Sequence, residues 1–131
     1  MDKPHKNLLN CPCCSEKPYA ECCKPYHEGM LPENALKLMR SRYSAYALGL
    51  ADYILATTLF PPKTKQEILE FSKSTHFDDL TILEFIDGQK EAYVTFRAHL
   101  AQAGRDVSFT EKSSFLKEDG KWLYKRAEKM T

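Results

Sequence analysis

Five cysteines crowd into one short stretch, Cys11-Pro12-Cys13-Cys14 followed by Cys22-Cys23, and the rest of the 131-residue chain has none. Two close cysteine groups on a short segment suit tetrahedral zinc: each group supplies two thiolates from one tight turn, and the residues between loop back to close the shell. A four-thiolate shell has no open position for water, so one structural Zn2+ per chain is expected. Metal binding then supplies the ordering free energy, on the order of 10–16 kcal/mol in comparable zinc peptides. The spacing leaves the second ligand open between Cys13 and Cys14, with His27 as a further substitute. Lys17, Lys24 and turn N–H groups are the expected donors around the thiolate charge. Competing chemistries fit less well. Adjacent Cys22 and Cys23 have Cα atoms too close for a relaxed disulfide, and Cys11-x-x-Cys14 does not open a helix after a strand, as a redox pair would.

The elements that must position this cluster divide by composition. Residues 1–30 hold all the cysteines together with Pro4, Pro12, Pro18 and Pro25, and show no helical or strand period. Such a segment cannot build its own core and needs a crosslink. Residues 31–131 read as one α+β domain. Leu36, Met39, Tyr43, Tyr46 and Leu50 recur at helical spacing after a capping Asn34 and before Gly49. A short helix is expected over Ala51–Thr58, and a third after the capping box Thr64-x-x-Glu67, running to about Thr75. The period then falls to two: Leu80 to Ile86, a turn at Asp87-Gly88, and Ala92, Val94, Phe96, Ala98 and Leu100 alternating with polar residues. Val107, Phe109 and Phe115 continue the pattern to a second turn before Trp122, Leu123 and Tyr124. Three helices followed by about four antiparallel strands form an α+β layer.

Composition narrows the classes of function. Nineteen Lys plus Arg against eighteen Asp plus Glu leave a net charge of +1, which lacks the basic excess of a nucleic-acid-coating protein. Crowded, odd-numbered cysteines do not make a disulfide framework, so a reducing, cytoplasmic setting is expected. The most apolar stretch, Ala45 to Ala56, is interrupted by Gly49 and Asp52, so no membrane span is expected.

The cysteine run resembles the SEC-C motif, Cys-Pro-Cys-Gly-Ser-Gly-Lys-x-Tyr-x-x-Cys-Cys/His, through Cys11, Pro12, Cys13, Ser15, Lys17, Tyr19, Cys22 and Cys23. That resemblance implies Cys11, Cys13, Cys22 and Cys23 as zinc ligands and Cys14 as the spare. Cys14 and Glu16 stand where the motif has glycine, and glycine is the residue that takes positive φ without penalty. Tyr26-His27-x-Gly29, the run Leu38-Met39-Arg40-Ser41-Arg42-Tyr43-Ser44-Ala45-Tyr46, and the Glu111 to Tyr124 stretch are similar to the bacterial YchJ family. This similarity implies a nuclear transport factor 2-like cone, three N-terminal helices on a curved antiparallel sheet, preceded by a zinc knuckle. It implies no reaction. SEC-C motifs at the end of the SecA translocation ATPase recruit the SecB chaperone, which implies a comparable protein-docking role for the knuckle.

A cone of this type can hold a ligand or a catalytic dyad in its mouth. The pocket candidates are Arg42, Tyr43, Tyr46, Arg97, Glu111 and Trp122, with Tyr53, His76 and His99 as further polar residues. One arginine of Arg40-Ser41-Arg42 is expected near the buried face, paired with a carboxylate such as Glu111. Tyr43 and Tyr46 read as core residues with bonded hydroxyls, His99 as exposed, and His76 as the end of a helix, where the dipole favours it. No pair is specific enough for acid–base work. The leading expectation is a non-enzymatic zinc protein docking a protein partner through Lys17, Tyr19, Glu21 and Lys24. The alternative is an enzyme or small-ligand carrier, which needs a cavity of about 300 Å³ or more. Both monomer and homodimer are compatible with the pattern.

Overall fold

A computed structural model describes residues 10–128. A 3-10 turn (Tyr19–Glu21) and the short helix α1 (Lys24–His27) complete the cysteine segment. Helices α2 (Ala35–Leu48), α3 (Ala51–Ala56) and α4 (Lys65–Ser74) follow, then strands β1 (His76–Ile86), β2 (Glu91–Gln102), β3 (Arg105–Asp106), β4 (Phe109–Glu118) and β5 (Lys121–Glu128).

Local chemistry accounts for the helix ends. The Asn34 side chain accepts the Lys37 N–H at 2.9 Å, and α2 stops at Gly49 with φ of 75°. The Thr64–Glu67 capping box opens α4 with both reciprocal bonds present. Helix α3 ends at Ala56, before the expected Thr58, and the Thr57 and Thr58 hydroxyls donate back to the Tyr53 and Ile54 carbonyls. The chain there turns to β5: Tyr124 N–H donates to the Thr57 carbonyl and Leu59 N–H to the Tyr124 carbonyl, each at 2.8 Å.

The sheet is antiparallel in the order β1-β2-β4-β5, with β3 paired to β2. Register shifts at Phe77/Asp79 and Ile82/Glu84 in β1, and at Lys125 in β5 opposite Ser114/Phe115, bend and twist these strands. The inward face of β2 is Ala92, Val94, Phe96, Ala98 and Leu100, all buried as the alternation predicts. They pack with Leu38, Met39 and Tyr43 of α2 and with Phe115 and Trp122. A second cluster joins Ala45, Ala51, Ile54 and Ile68 across the three helices.

Two sequence expectations change. His76 does not end a helix; it is exposed and opens β1, pairing with Ala101. The polar run before Leu80 carries no inward alternation, so pairing along β2 fixes the strand's start. Helix α2 is also buried more widely than a single stripe. Ser41, Arg42, Ser44 and Ala45 are buried beside Met39 and Tyr43, whereas Leu36, Tyr46 and Leu50 are only half-buried. The cysteine segment lies over the second side of this helix, with His27 hydrogen-bonded at Ser41 and Ser44.

Candidate metal centre and cone cavity

The Sγ atoms of Cys11, Cys13, Cys22 and Cys23 lie within 4.8 Å of one another. Cys13 and Cys22 sulfurs are 3.6 Å apart, and Cys22 and Cys23 sulfurs 3.9 Å. Four sulfurs at 2.3 Å from a tetrahedral ion would be separated by about 3.8 Å, so the observed spacing fits a metal ion. Cys11, Cys13 and Cys23 are buried and Cys22 half-buried. The backbone achieves this with two short closures: Cys11 N–H donates to the Lys17 carbonyl at 2.8 Å, and Cys14 N–H to the Cys11 carbonyl at 3.1 Å.

Hydrogen bonds from Cys11 and Cys23 hold Cys13 well below the usual thiol range. The hydrogen bond to Cys13 pushes the Cys11 thiol up to about 12, and Cys11 and Cys13 together push Cys23 far up. A divalent ion held by the four sulfurs would displace their protons, including those of the two raised thiols, Cys11 and Cys23. The side-chain donor on the sulfurs is the Ser15 hydroxyl, 3.1 Å from Cys22 Sγ, its oxygen accepting the Lys17 N–H. Among the described residues, the Lys17 and Lys24 ammonium groups make no hydrogen bond there.

Cys14 stands outside the four-sulfur group. Its φ is 65° and that of Glu16 is 70°, so both residues at the motif's glycine positions adopt the left-handed conformation glycine favours. The Cys14 thiol donates to the Pro12 carbonyl at 3.4 Å and packs against the main core. Burial, reinforced by the Asp79 carboxylate, raises it to about 11. His27 also stands apart: its Nε2–H donates to the Ser41 carbonyl at 2.8 Å and its Nδ1 accepts the Tyr19 hydroxyl at 2.6 Å. Its ring meets Tyr53 edge-on, and Tyr53 hydrogen-bonds Ser41 at 2.7 Å. With Arg40 Nη1 donating to the Cys13 carbonyl at 2.9 Å, these contacts fasten the knuckle to α2.

The cone encloses a cavity of about 320 Å³. Of the expected pocket residues, Arg42, Tyr43, Tyr46 and Glu111 line it and Arg97 and Trp122 do not. Arg97 sits between the inward Phe96 and Ala98, so strand geometry turns it to the other face, where it donates to Thr110 Oγ1 at 3.1 Å. Trp122 is buried in the core and borders a separate hollow with Tyr26 and His27. His99, half-buried on the outer face, bonds Thr81 at 3.0 Å.

The expected ion pair between Arg42 and Glu111 is not formed. Arg42 Nη1 donates to the Ile54 carbonyl and the Thr57 and Thr58 hydroxyls at 3.2, 2.8 and 2.8 Å. The Tyr124 ring stacks beneath the guanidinium, 4.6 Å from its carbon to the centroid. Tyr124 then donates its hydroxyl to Glu111 Oε2 at 2.9 Å, and Ser113 donates to the same oxygen at 2.6 Å. Burial holds the Arg42 guanidinium below its ordinary value and the Tyr124 phenol above its own. Tyr43 is the expected core tyrosine, donating to the Asp79 carbonyl at 2.9 Å. Sequence reasoning passed over Thr58, Ser113 and Tyr124. The two-residue period through Glu111, Ser113 and Phe115 was the available signal for Ser113.

Helices packed on an antiparallel sheet around a cavity, preceded by four gathered cysteines, define a nuclear transport factor 2-like domain joined to a metal-binding knuckle. Residues 34–127 match the family model described as the YchJ middle, nuclear transport factor 2-like domain. A UPF0225 protein of Vibrio vulnificus is 38% identical, over 88% of this chain and 72% of its own. The solution structure of a SEC-C motif containing protein from Rhodopseudomonas palustris superposes with a TM-score of 0.83 at 31% identity, covering 94% of this chain and 100% of that one. The crystal structure of a SEC-C motif containing protein from Psychrobacter arcticus gives 0.79 at 25% identity, covering 95% and 86%. The chain belongs to the YchJ family.

Proposed function

We propose that Cys11, Cys13, Cys22 and Cys23 hold one zinc ion in a closed structural shell, and that the knuckle so formed docks a protein partner. The four sulfurs within 4.8 Å of one another carry the metal reading. A tetrahedral set of soft thiolates selects zinc among the common divalent ions. A closed shell offers no position to a substrate, which favours a structural ion and a non-enzymatic knuckle. Within the proposed division at residue 30/31, the described residues 10–30 are then a metal-ordered segment and 31–128 the unit with the core. Glu16, Lys17, Glu21 and Lys24 are exposed around the shell and form the contact surface in this reading. Tyr19, half-buried and bonded to His27, supports the knuckle from within. Unpaired thiols fit a reducing cytoplasmic setting. Nucleic acid is disfavoured by the charge balance.

Protein purified without chelators should carry one zinc per chain, with X-ray absorption giving only sulfur at about 2.3 Å. Proteins captured by the intact chain should be lost with Cys22→Ser and with the zinc-retaining Lys24→Glu. Unchanged capture by both variants rejects docking while leaving the metal reading in place.

The cavity favours a second reading, a small-ligand carrier or enzyme using the cone. Its volume of about 320 Å³ lies at the lower end of small-molecule sites, about 300–1,000 Å³.

A further inference from the structure

We propose that the cone cavity binds a small monoanion with an apolar body, a carboxylic acid anchored on the guanidinium of Arg42. This rests on the second reading above, that the cavity takes a ligand.

Among the described residues, Arg42 carries an unpaired charge. Arginine stays protonated in proteins, and a buried charge is stable when paired. Arg42 is 8% exposed, yet among the described residues it forms no ion pair. Holding the end of α3 occupies Nη1 alone, with its three neutral oxygens. Nε and Nη2 hydrogen-bond no described residue. The sealed, partnerless side-chain atoms are Ser72 Oγ and Trp122 Nε1, so these two nitrogens are not sealed, and Arg42 lines the cavity. Two N–H groups on one edge of a planar guanidinium match the two oxygens of a carboxylate.

The rest of the lining sets the ligand's charge and body. Its charged residues are Arg42, Lys63 and Glu111, a net of one positive charge. Glu111 forms no ion pair with Arg42 and is anchored through Oε2 by Tyr124 and Ser113. It opposes a second negative charge on the ligand. Phe71, Phe77, Phe96 and Phe109 supply the apolar wall. The volume accommodates a single ring or a short chain.

The test is an NMR titration of the full chain with 3-phenylpropionate, its neutral analogue 3-phenylpropionamide, and inorganic phosphate. The acid is expected to shift the Arg42 side-chain, Tyr124 and Phe71 resonances saturably, with at least about tenfold tighter binding than the amide. Phosphate is expected to leave them unmoved at the same concentrations. Arg42→Lys, which keeps the charge and loses the fork, should weaken the acid about tenfold and leave the amide unchanged. Should that variant fail to fold, Glu111→Gln decides: the acid should bind several-fold tighter, because the opposing charge is gone. Equal binding of acid and amide at these resonances overturns the carboxylate anchor and leaves the cavity reading standing. If neither moves them, both fail. Phosphate acting as strongly as the acid overturns the apolar monoanion.

Discussion

The knuckle and the cone bury charge in opposite ways. In the knuckle, four groups of one kind converge, and hydrogen bonding among them pushes Cys13 down and Cys23 up. In the cone, a single cation is buried with neutral acceptors and a ring face, and the Glu111 carboxylate of the same cavity is hydrogen-bonded to Tyr124 and Ser113. In the proposed reading, the first site is organised by the ion it takes. The second is organised by secondary structure that persists without a ligand, because α3, β4 and β5 hold the surrounding oxygens in place. A site that assembles around its ion and one that awaits it should respond differently to removal.

Chelation is the largest way to break this contrast. Stripping the metal, or substituting Cys13→Ser, should cost the knuckle most of its ordering free energy, several kcal/mol. In hydrogen exchange, amides of residues 11–27 should lose protection while those of β2 keep theirs; equal loss in both regions would mean that the cone has no independent core.

The joint between the regions comes next. His27→Ala removes hydrogen bonds to Tyr19 and the buried Ser41 carbonyl and should lower stability by about 2 kcal/mol, read from denaturant midpoints. Zinc content should not change.

Cys14→Ser sharpens the ligand set. Metal stoichiometry should stay at one, with a loss of about 1 kcal/mol from a polar atom placed against the core. Loss of metal on this change alone would move the second ligand to residue 14. The smallest effect belongs to Glu16→Gly. Relieving a left-handed residue gains about 1–2 kcal/mol, while the more flexible unfolded chain returns about 0.5–1. The net should be a rise in Tm of a few degrees, measured by calorimetry on the metal-loaded protein.

The four gathered cysteines were legible because their spacing is local: a motif within one turn-rich segment needs little tertiary context. The β2 face was legible for a similar reason, since Ala92 to Leu100 alternate without interruption. Arg42 was harder. A helix read for one apolar stripe gives no hint that a second side is buried, and Ser41 and Ser44 look polar until His27 is seen against them. Arg97 and Trp122 failed as pocket residues for different reasons. Arg97 violates the strand period that places Phe96 inward, which the sequence already contained. Trp122 shares an inward face with Tyr124, and only the path of the cysteine segment and α1 decides which hollow it borders.

Cys14 carries one more consequence. An unfolded chain presents five thiols within a few residues of one another, and any four can seize a soft metal early. Only one selection lets residue 14 turn away and settle beside β1. The fifth thiol therefore offers a metal competing four-sulfur sets, and refolding in the presence of metal should be slower in this chain than with Cys14→Ser.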